Sequence, residues 1–284
     1  MAANDSLCLA LGMQLDVPIT EQPQLLKNAG FDAFAFDREK NGTSELTQKL
    51  IAEAQKLGMR CEYIHAPFYG MDDIWHDEKG ELAEIMLNDL YATIDDCSDF
   101  GVEYAVLHAI IGMDNCTPNE LGLERLYDVV DRAVKKNVKL AFENTEGEMY
   151  LESILKRYGD VENVGFCFDS GHELCYNYSK DILTKYGDKL FVTHLNDNKG
   201  MTGDELTFYD DSHLLPFDGI ADWKGIAQRI KNCGYNGTLS FEVISKGRPT
   251  RNDNDIYKNL SAQEYVNEAY RKAVEFKNLL KTMN

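Results

Sequence analysis

The chain has 284 residues, 44% of them hydrophobic and 27% charged, with a formal net charge of −19. That is a globular composition, neither low-complexity nor disordered, and it holds no apolar run of the roughly 18 residues that a membrane span needs. So negative a field disfavours nucleic acid, whose binding draws on Lys and Arg neutralising phosphates.

In chain order, residues 1–13 lack a basic n-region and carry too short an apolar run for a signal peptide, so none is expected. Strand-like runs rich in Val, Ile, Phe and Tyr fall at residues 7–13, 32–37, 59–68, 103–110, 138–144, 163–172, 189–197 and 237–244. Short continuous runs of this kind suit parallel strands covered on both faces. Between them, residues 44–57 place Leu46, Leu50, Ala54 and Leu57 on one helical face, with Gly58 as a stop. Residues 81–100, 118–136, 223–232 and 262–280 are patterned alike. The stretches NAGFDAF, KLGMRCEY, DFGVEYAV and NCGYNGTL repeat one exit: helix, glycine, strand. No linker divides the chain. Strands alternating with helices predict an α/β fold, a single (β/α)8 TIM barrel over residues 1–284.

The cysteines, Cys8, Cys61, Cys97, Cys116, Cys167, Cys175 and Cys233, form no CxxC pair, and several lie in strand-like runs. They read as reduced thiols filling core positions, which implies a cytoplasmic protein and argues against a cysteine-built zinc site.

Parallel barrel strands aim their C-terminal ends at one rim, where active sites form. The third strand ends on His65 and the fourth on His108. The fifth ends on Glu143, the sixth on Asp169 with His172 close behind, the seventh on His194 and the eighth on Glu242. The loop after the seventh strand adds Asp211 and His213. Of the six histidines, all but His76 therefore fall on this rim. Each position alone has a structural reading: His65 as a turn residue, His108 as a core histidine, Glu143 and Asp169 as helix caps. Together they are carboxylates at the ends of buried strands, a costly arrangement unless a cation sits among them. Imidazole and carboxylate donors without thiolate suit zinc, manganese and related divalent ions. Asp37, Glu62 and Trp75 are either pocket-lining or packed. Asp197, Asn198 and Lys199 are either substrate contacts or a polar turn.

The segments AFEN (Glu143), CFDSGH (Asp169, His172), VTHLND (His194), HLLPFDGIADW (His213 to Trp223) and LSFEV (Glu242), in this order on successive strands, are similar to those of the xylose-isomerase-like TIM-barrel superfamily. That superfamily holds sugar and sugar-phosphate isomerases and epimerases together with endonuclease IV. In the isomerase branch the resemblance implies one divalent ion (Mn, Zn, Co or Mg) held by Glu143, Asp169, His194 and Glu242. The two glutamates then form the acid/base pair, and His172, with His65, His108 and Asn196, contacts the substrate. In the endonuclease IV branch it implies up to three zinc ions held by His65, His108, Glu143, Asp169, His172, His194, Asp211, His213 and Glu242.

Departures exist from both branches. Ser212 stands where the endonuclease has an arginine, and HLLPFDG replaces a glycine-rich turn. LHAI lacks the expected proline and glycine, and no basic loop is present to grip a phosphate backbone. No arginine follows His194 as in the best-known ketose epimerases. The expectation is a metal-dependent isomerase or epimerase of a small sugar or sugar phosphate, a dehydratase using nearly the same apparatus. A tri-zinc phosphodiesterase is the alternative, and a non-catalytic metal-binding barrel is a third reading. The expected partner is a small carbohydrate, with no nucleic acid and no membrane. The segment after Val243 either covers a neighbouring copy in a homo-oligomer or closes its own barrel.

Overall fold

The computed structural model describes residues 5–112 and 117–283; Cys116 lies outside them. The strands are β1 Leu7–Ala10, β2 Ala33–Asp37, β3 Arg60–His65, β4 Tyr104–His108, β5 Lys139–Glu143, β6 Val164–Asp169, β7 Leu190–His194 and β8 Leu239–Phe241. They pair in parallel in the order β7-β6-β5-β4-β3-β2-β1-β8. The ring closes between β7 and β8, where Leu195 bridges Phe241 and the Leu195 N–H donates to Ser240 O at 2.9 Å. The protein is thus the single α/β barrel that the alternation predicts.

The flanking helices are α1 Gln22–Ala29, α2 Glu45–Leu57, α3 Met71–His76, α4 Glu81–Phe100, α5 Glu120–Lys136, α6 Glu148–Tyr158, α7 Ser170–Leu174, α8 Ile182–Tyr186, α9 Trp223–Asn232 and α10 Ala262–Thr282. Of these, the sequence marks α1 only by its NAGFDAF exit and assigns no helical pattern to α3, α6, α7 and α8. The glycines of the repeated exits, Gly30, Gly58, Gly101 and Gly234, all adopt left-handed φ just past a helix, between 62° and 112°. No described helix is long and apolar enough to cross a membrane. The described cysteines are all unbridged.

Alternation along the strands divides the apolar residues into two cores. Leu9, Phe34, Phe36, Ile64, Leu107, Phe142, Phe166 and Phe168 join the helices in the large outer core. Cys8, Ala33, Ala35, Tyr63, Val106, Ala141, Cys167 and Val192 form a separate cluster inside the barrel. Small residues dominate this inner cluster because a ring of eight strands leaves room for little more than side chains. The period of two then determines what the rim carries. Two residues beyond Tyr63 comes His65, beyond Val106 His108, beyond Ala141 Glu143, beyond Cys167 Asp169, and beyond Val192 His194.

Candidate metal centre

The inward register gathers the rim residues around Glu143, whose side chain is 1% exposed. Its Oε2 lies 3.3 Å from His65 Nε2 and 3.4 Å from His108 Nε2. Its Oε1 lies 3.1 Å from His172 Nδ1 and 3.3 Å from His194 Nδ1. Glu242 Oε2 sits 2.8 Å from His194 Nδ1, and its side chain is 26% exposed. Asp211 Oδ2 lies 2.8 Å from His213 Nε2 and 3.4 Å from His172 Nε2. The nine residues singled out in the sequence therefore fall into three neighbouring groups: His65, His108 and Glu143; Glu143, Asp169, His194 and Glu242; His172, Asp211 and His213. Within each group the donor atoms lie within 4.8 Å of one another.

The hydrogen bonds around the imidazoles fit cation ligation. His65 Nδ1 lies 2.7 Å from Ala66 O, His172 Nδ1 3.0 Å from Asn144 O, and His213 Nδ1 3.1 Å from Glu242 O. A carbonyl oxygen can only accept, so Nδ1 carries the proton and Nε2 turns its lone pair inward. At 2.8 Å from a carboxylate oxygen, that lone pair requires a proton or a cation between the two. Several polar atoms at the centre are buried without a well-directed hydrogen bond: both ring nitrogens of His194, Glu143 Oε1, Asp211 Oδ1 and His108 Nδ1. Buried orphans converging from different strands suit a divalent ion.

In the absence of an ion, protons hold the cluster together. Burial works against ionising Glu143, but the charge of His194 and hydrogen bonds from His108, His172 and His194 keep it well below the carboxylate range. Partial burial works against ionising Glu242 as well, but His194 draws it down to about 2. Burial disfavours the charged imidazoles, yet Asp211 lifts His213 to about 9, and Asp169 and Asp211 raise His172 well above its ordinary value. Burial pushes Asp169 up to about 6. Cys167 lies below the rim within reach of Glu143 and His194. Burial raises its thiol to about 12, which keeps it protonated and a poor ligand.

Sequence reasoning missed the supports of this shell. Asn144 brackets the end of β6: its Oδ1 accepts the Asp169 N–H and its Nδ2 donates to Asp169 O, both at 2.8 Å. Asn196, expected to contact substrate, is fully buried and donates to Asp169 Oδ2 at 2.7 Å; it holds a ligand rather than lining the cavity. Asp197 takes the turn reading, accepting from the N–H groups of Asn198 and Ala221 and from Trp223 Nε1. Asn198 bonds Gly171 O, and Lys199 bonds Asp218 O. Trp75 is core, its indole donating to Ala109 O, and Glu62 pairs with Arg60. His76, off the rim as expected, lies 3.1 Å from Tyr150 Oη.

Above the cluster opens a cavity of about 340 Å³. Its floor carries His65, His108, Glu143, His172, Asp211, His213 and Glu242, so the expected substrate contacts His65, His108 and His172 do face it. Phe68, Tyr69, Tyr176 and Phe208 form aromatic walls. Asp37, at the end of β2, also lines it. Arg248 brings a guanidinium, and no lysine is among the described lining residues. Volume and lining suit a monosaccharide-sized polar molecule.

Comparison with known proteins agrees with this architecture. The family profile described as xylose isomerase-like TIM barrel matches residues 23–265. The uncharacterized protein y4fM of Sinorhizobium fredii is 29% identical over 272 residues, covering 80% of this chain and 82% of its own. The crystal structure of IOLI protein with a binding zinc atom superposes with a TM-score of 0.73 at 21% identity, covering 98% of this chain and 99% of the other. A D-tagatose 3-epimerase-like protein superposes with a TM-score of 0.68 at 20% identity, over 96% and 98% of the two chains. At such identities the structural likenesses speak for the fold.

Proposed function

The chain belongs to the xylose isomerase-like TIM barrel family, and from that premise we propose that it isomerises or epimerises a small sugar or sugar phosphate with the help of a divalent ion. The observation carrying this reading is the group of Glu143, Asp169, His194 and Glu242, which offers one ion a shell of carboxylate oxygen and imidazole nitrogen, Glu143 and Glu242 lining the cavity and Asp169 and His194 fully buried. The bound zinc of the IOLI protein and the epimerase-like neighbour support it by analogy. Bound there, a divalent cation would supply Lewis acidity that favours the enediolate over the carbonyl.

The protein's own groups do the proton work. Glu242 is ionised and reaches into the cavity, so it removes a proton from carbon next to a carbonyl. Glu143, ringed by four imidazoles, is suited to the return step through whichever of these is protonated. His172 turns towards the cavity and binds a substrate hydroxyl. The test is incubation of the metal-loaded protein with a panel of ketoses in deuterated buffer. Deuterium at the carbon beside the carbonyl, with a new epimer or isomer, is the expected result. A panel-wide absence of exchange would sink this reading.

A second reading, a three-ion phosphodiesterase, draws on one observation: His172, Asp211 and His213 form a complete third ligand group. The double substitution His65→Ala with His108→Ala separates the two. A one-ion isomerase retains its metal, since neither histidine belongs to the group of Glu143, Asp169, His194 and Glu242, whereas a three-ion hydrolase loses an ion and most of its activity.

A further inference from the structure

Two arginines in the loop after β8 reach back to consecutive aspartates of the loop after β7, and they are used differently. Arg251 is fully engaged: its NH1 bonds Asp210 Oδ1 at 3.0 Å and Thr202 Oγ1 at 2.9 Å, and its NH2 bonds Asp253 Oδ2 at 2.5 Å. Asp210 in turn caps its own loop through Thr202 and Thr207. That set of bonds already ties the two loops together.

Arg248 is held but not spent. Its Nε donates to the backbone oxygen of Asp211 at 2.8 Å, and its NH2 makes a longer bond of 3.3 Å to Asp211 Oδ2. The guanidinium lies 4.6 Å over the Phe208 ring, a cation–π contact that fixes its plane. NH1 has no partner among the described residues, although the guanidinium lines the cavity and its side chain is 16% exposed. A guanidinium has five N–H donors in a rigid fork, and a plane fixed in advance loses little entropy on meeting a planar or tetrahedral oxyanion. The rest of the wall makes the placement pointed. Asp37, Glu143, Glu146, Asp211 and Glu242 all line the same space. Beside an ion held by Glu143, Asp169, His194 and Glu242, a neutral sugar needs no second cation, while an anionic one facing the remaining carboxylates gains from it.

We propose that Arg248, supported on Phe208, is the specificity residue of this cavity and that the substrate is an anionic sugar, its carboxylate or phosphate bound to the free edge of the guanidinium. The proposal rests on the reading of the cavity as a sugar site, and it is tested by binding rather than turnover so that the two can fail separately.

The experiment titrates zinc-loaded protein calorimetrically with three matched ligands: a ketohexose, its 6-phosphate and the corresponding ketohexuronate. One of the anions should bind at least about tenfold more tightly than the neutral sugar, and which one it is tells phosphate from carboxylate. Arg248→Gln should erase that preference while leaving the neutral sugar's affinity as it was, and Arg248→Lys should restore part of it. Equal affinity for all three ligands in the parent protein overturns the proposal. So does a loss in Arg248→Gln that is the same for neutral and anionic ligands, since that is the mark of a merely structural arginine. Anion preference without deuterium exchange would leave Arg248 in its role and reject the isomerase chemistry instead.

Discussion

Two carboxylates that look equivalent in the sequence are unequal in the folded site. Glu143 is shared between two ligand groups and almost wholly buried, whereas Glu242 belongs to one and faces the cavity. Glu242→Gln should therefore keep the fold and lose at least about a hundredfold in proton exchange at carbon. Glu143→Gln should lose comparable activity together with bound metal, which elemental analysis would read; near-normal turnover in either variant would remove that residue from its assigned role. Gly171 makes a subtler case. A Cβ there would sit 2.0 Å from Asn196 Oδ1, so the glycine is what allows the asparagine to reach Asp169. Gly171→Ala should weaken metal affinity by about 10–100-fold, as loss of an outer-shell partner does. Competition with a chelator of known affinity measures it, and an unchanged affinity in the folded variant would show that Asn196 does not matter to the site. The clustering of the candidate ligands was legible because strand ends are recognisable and residue types declare their chemistry. Asn196 was not, because HLND gives no sign of which polar side chain turns down into the barrel. Arg248 was equally hidden, since a loop has no period from which to tell a lining residue from a solvated one.

At the scale of elements, the barrel closes on its shortest strand. Between β7 and β8 a side chain takes part in the ladder: Ser240 N–H donates to Thr193 Oγ1 at 3.0 Å, and the same hydroxyl lies 3.3 Å from Ser240 O as its donor. The next residues on either side of this seam are His194 and Phe241, with Glu242 following. Thr193→Val keeps the shape and leaves a buried N–H unsatisfied, which costs about 1–3 kcal/mol. Urea denaturation should show a lower midpoint at an unchanged slope, and an identical midpoint would mean that water or a backbone shift supplies the missing bond. The sequence indicated a strand over residues 237–244, but β8 spans Leu239–Phe241. After Phe241 the chain bends to line the cavity with Glu242, Val243 and Ile244, and apolar side chains there look no different from strand residues. Residues 7–13 shorten to Leu7–Ala10 for the same reason, as Leu11 and Gly12 join the wall. The short helices α7 and α8 were illegible because five residues cannot display a helical period.

For the whole molecule, the cluster couples folding, protons and metal. His213 titrates near 9 in the folded chain against 6.5 as its ordinary value, because Asp211 outweighs its burial. Its stabilising contribution is complete below pH 6.5 and is lost as pH rises through about 9. Asp169, raised by burial to about 6, acts in the same direction: the fold gains as pH falls through 6 and the carboxyl takes up its proton. Glu242, drawn down to about 2, contributes above its ordinary value of 4.5 and is lost below it. Metal-free protein should therefore be most stable near pH 5–6 and weaken steadily towards pH 9. A bound ion replaces those protons, so metal uptake should release them, and affinity should climb across the same range. Melting curves with and without zinc between pH 5 and 9 would then diverge progressively, with the loaded protein nearly level. Proton release appears in calorimetry as a binding enthalpy that changes with the ionisation enthalpy of the buffer. Parallel curves with no released protons would mean that the imidazoles and carboxylates at the centre are already deprotonated before metal arrives, and that protons do not hold the empty cluster together.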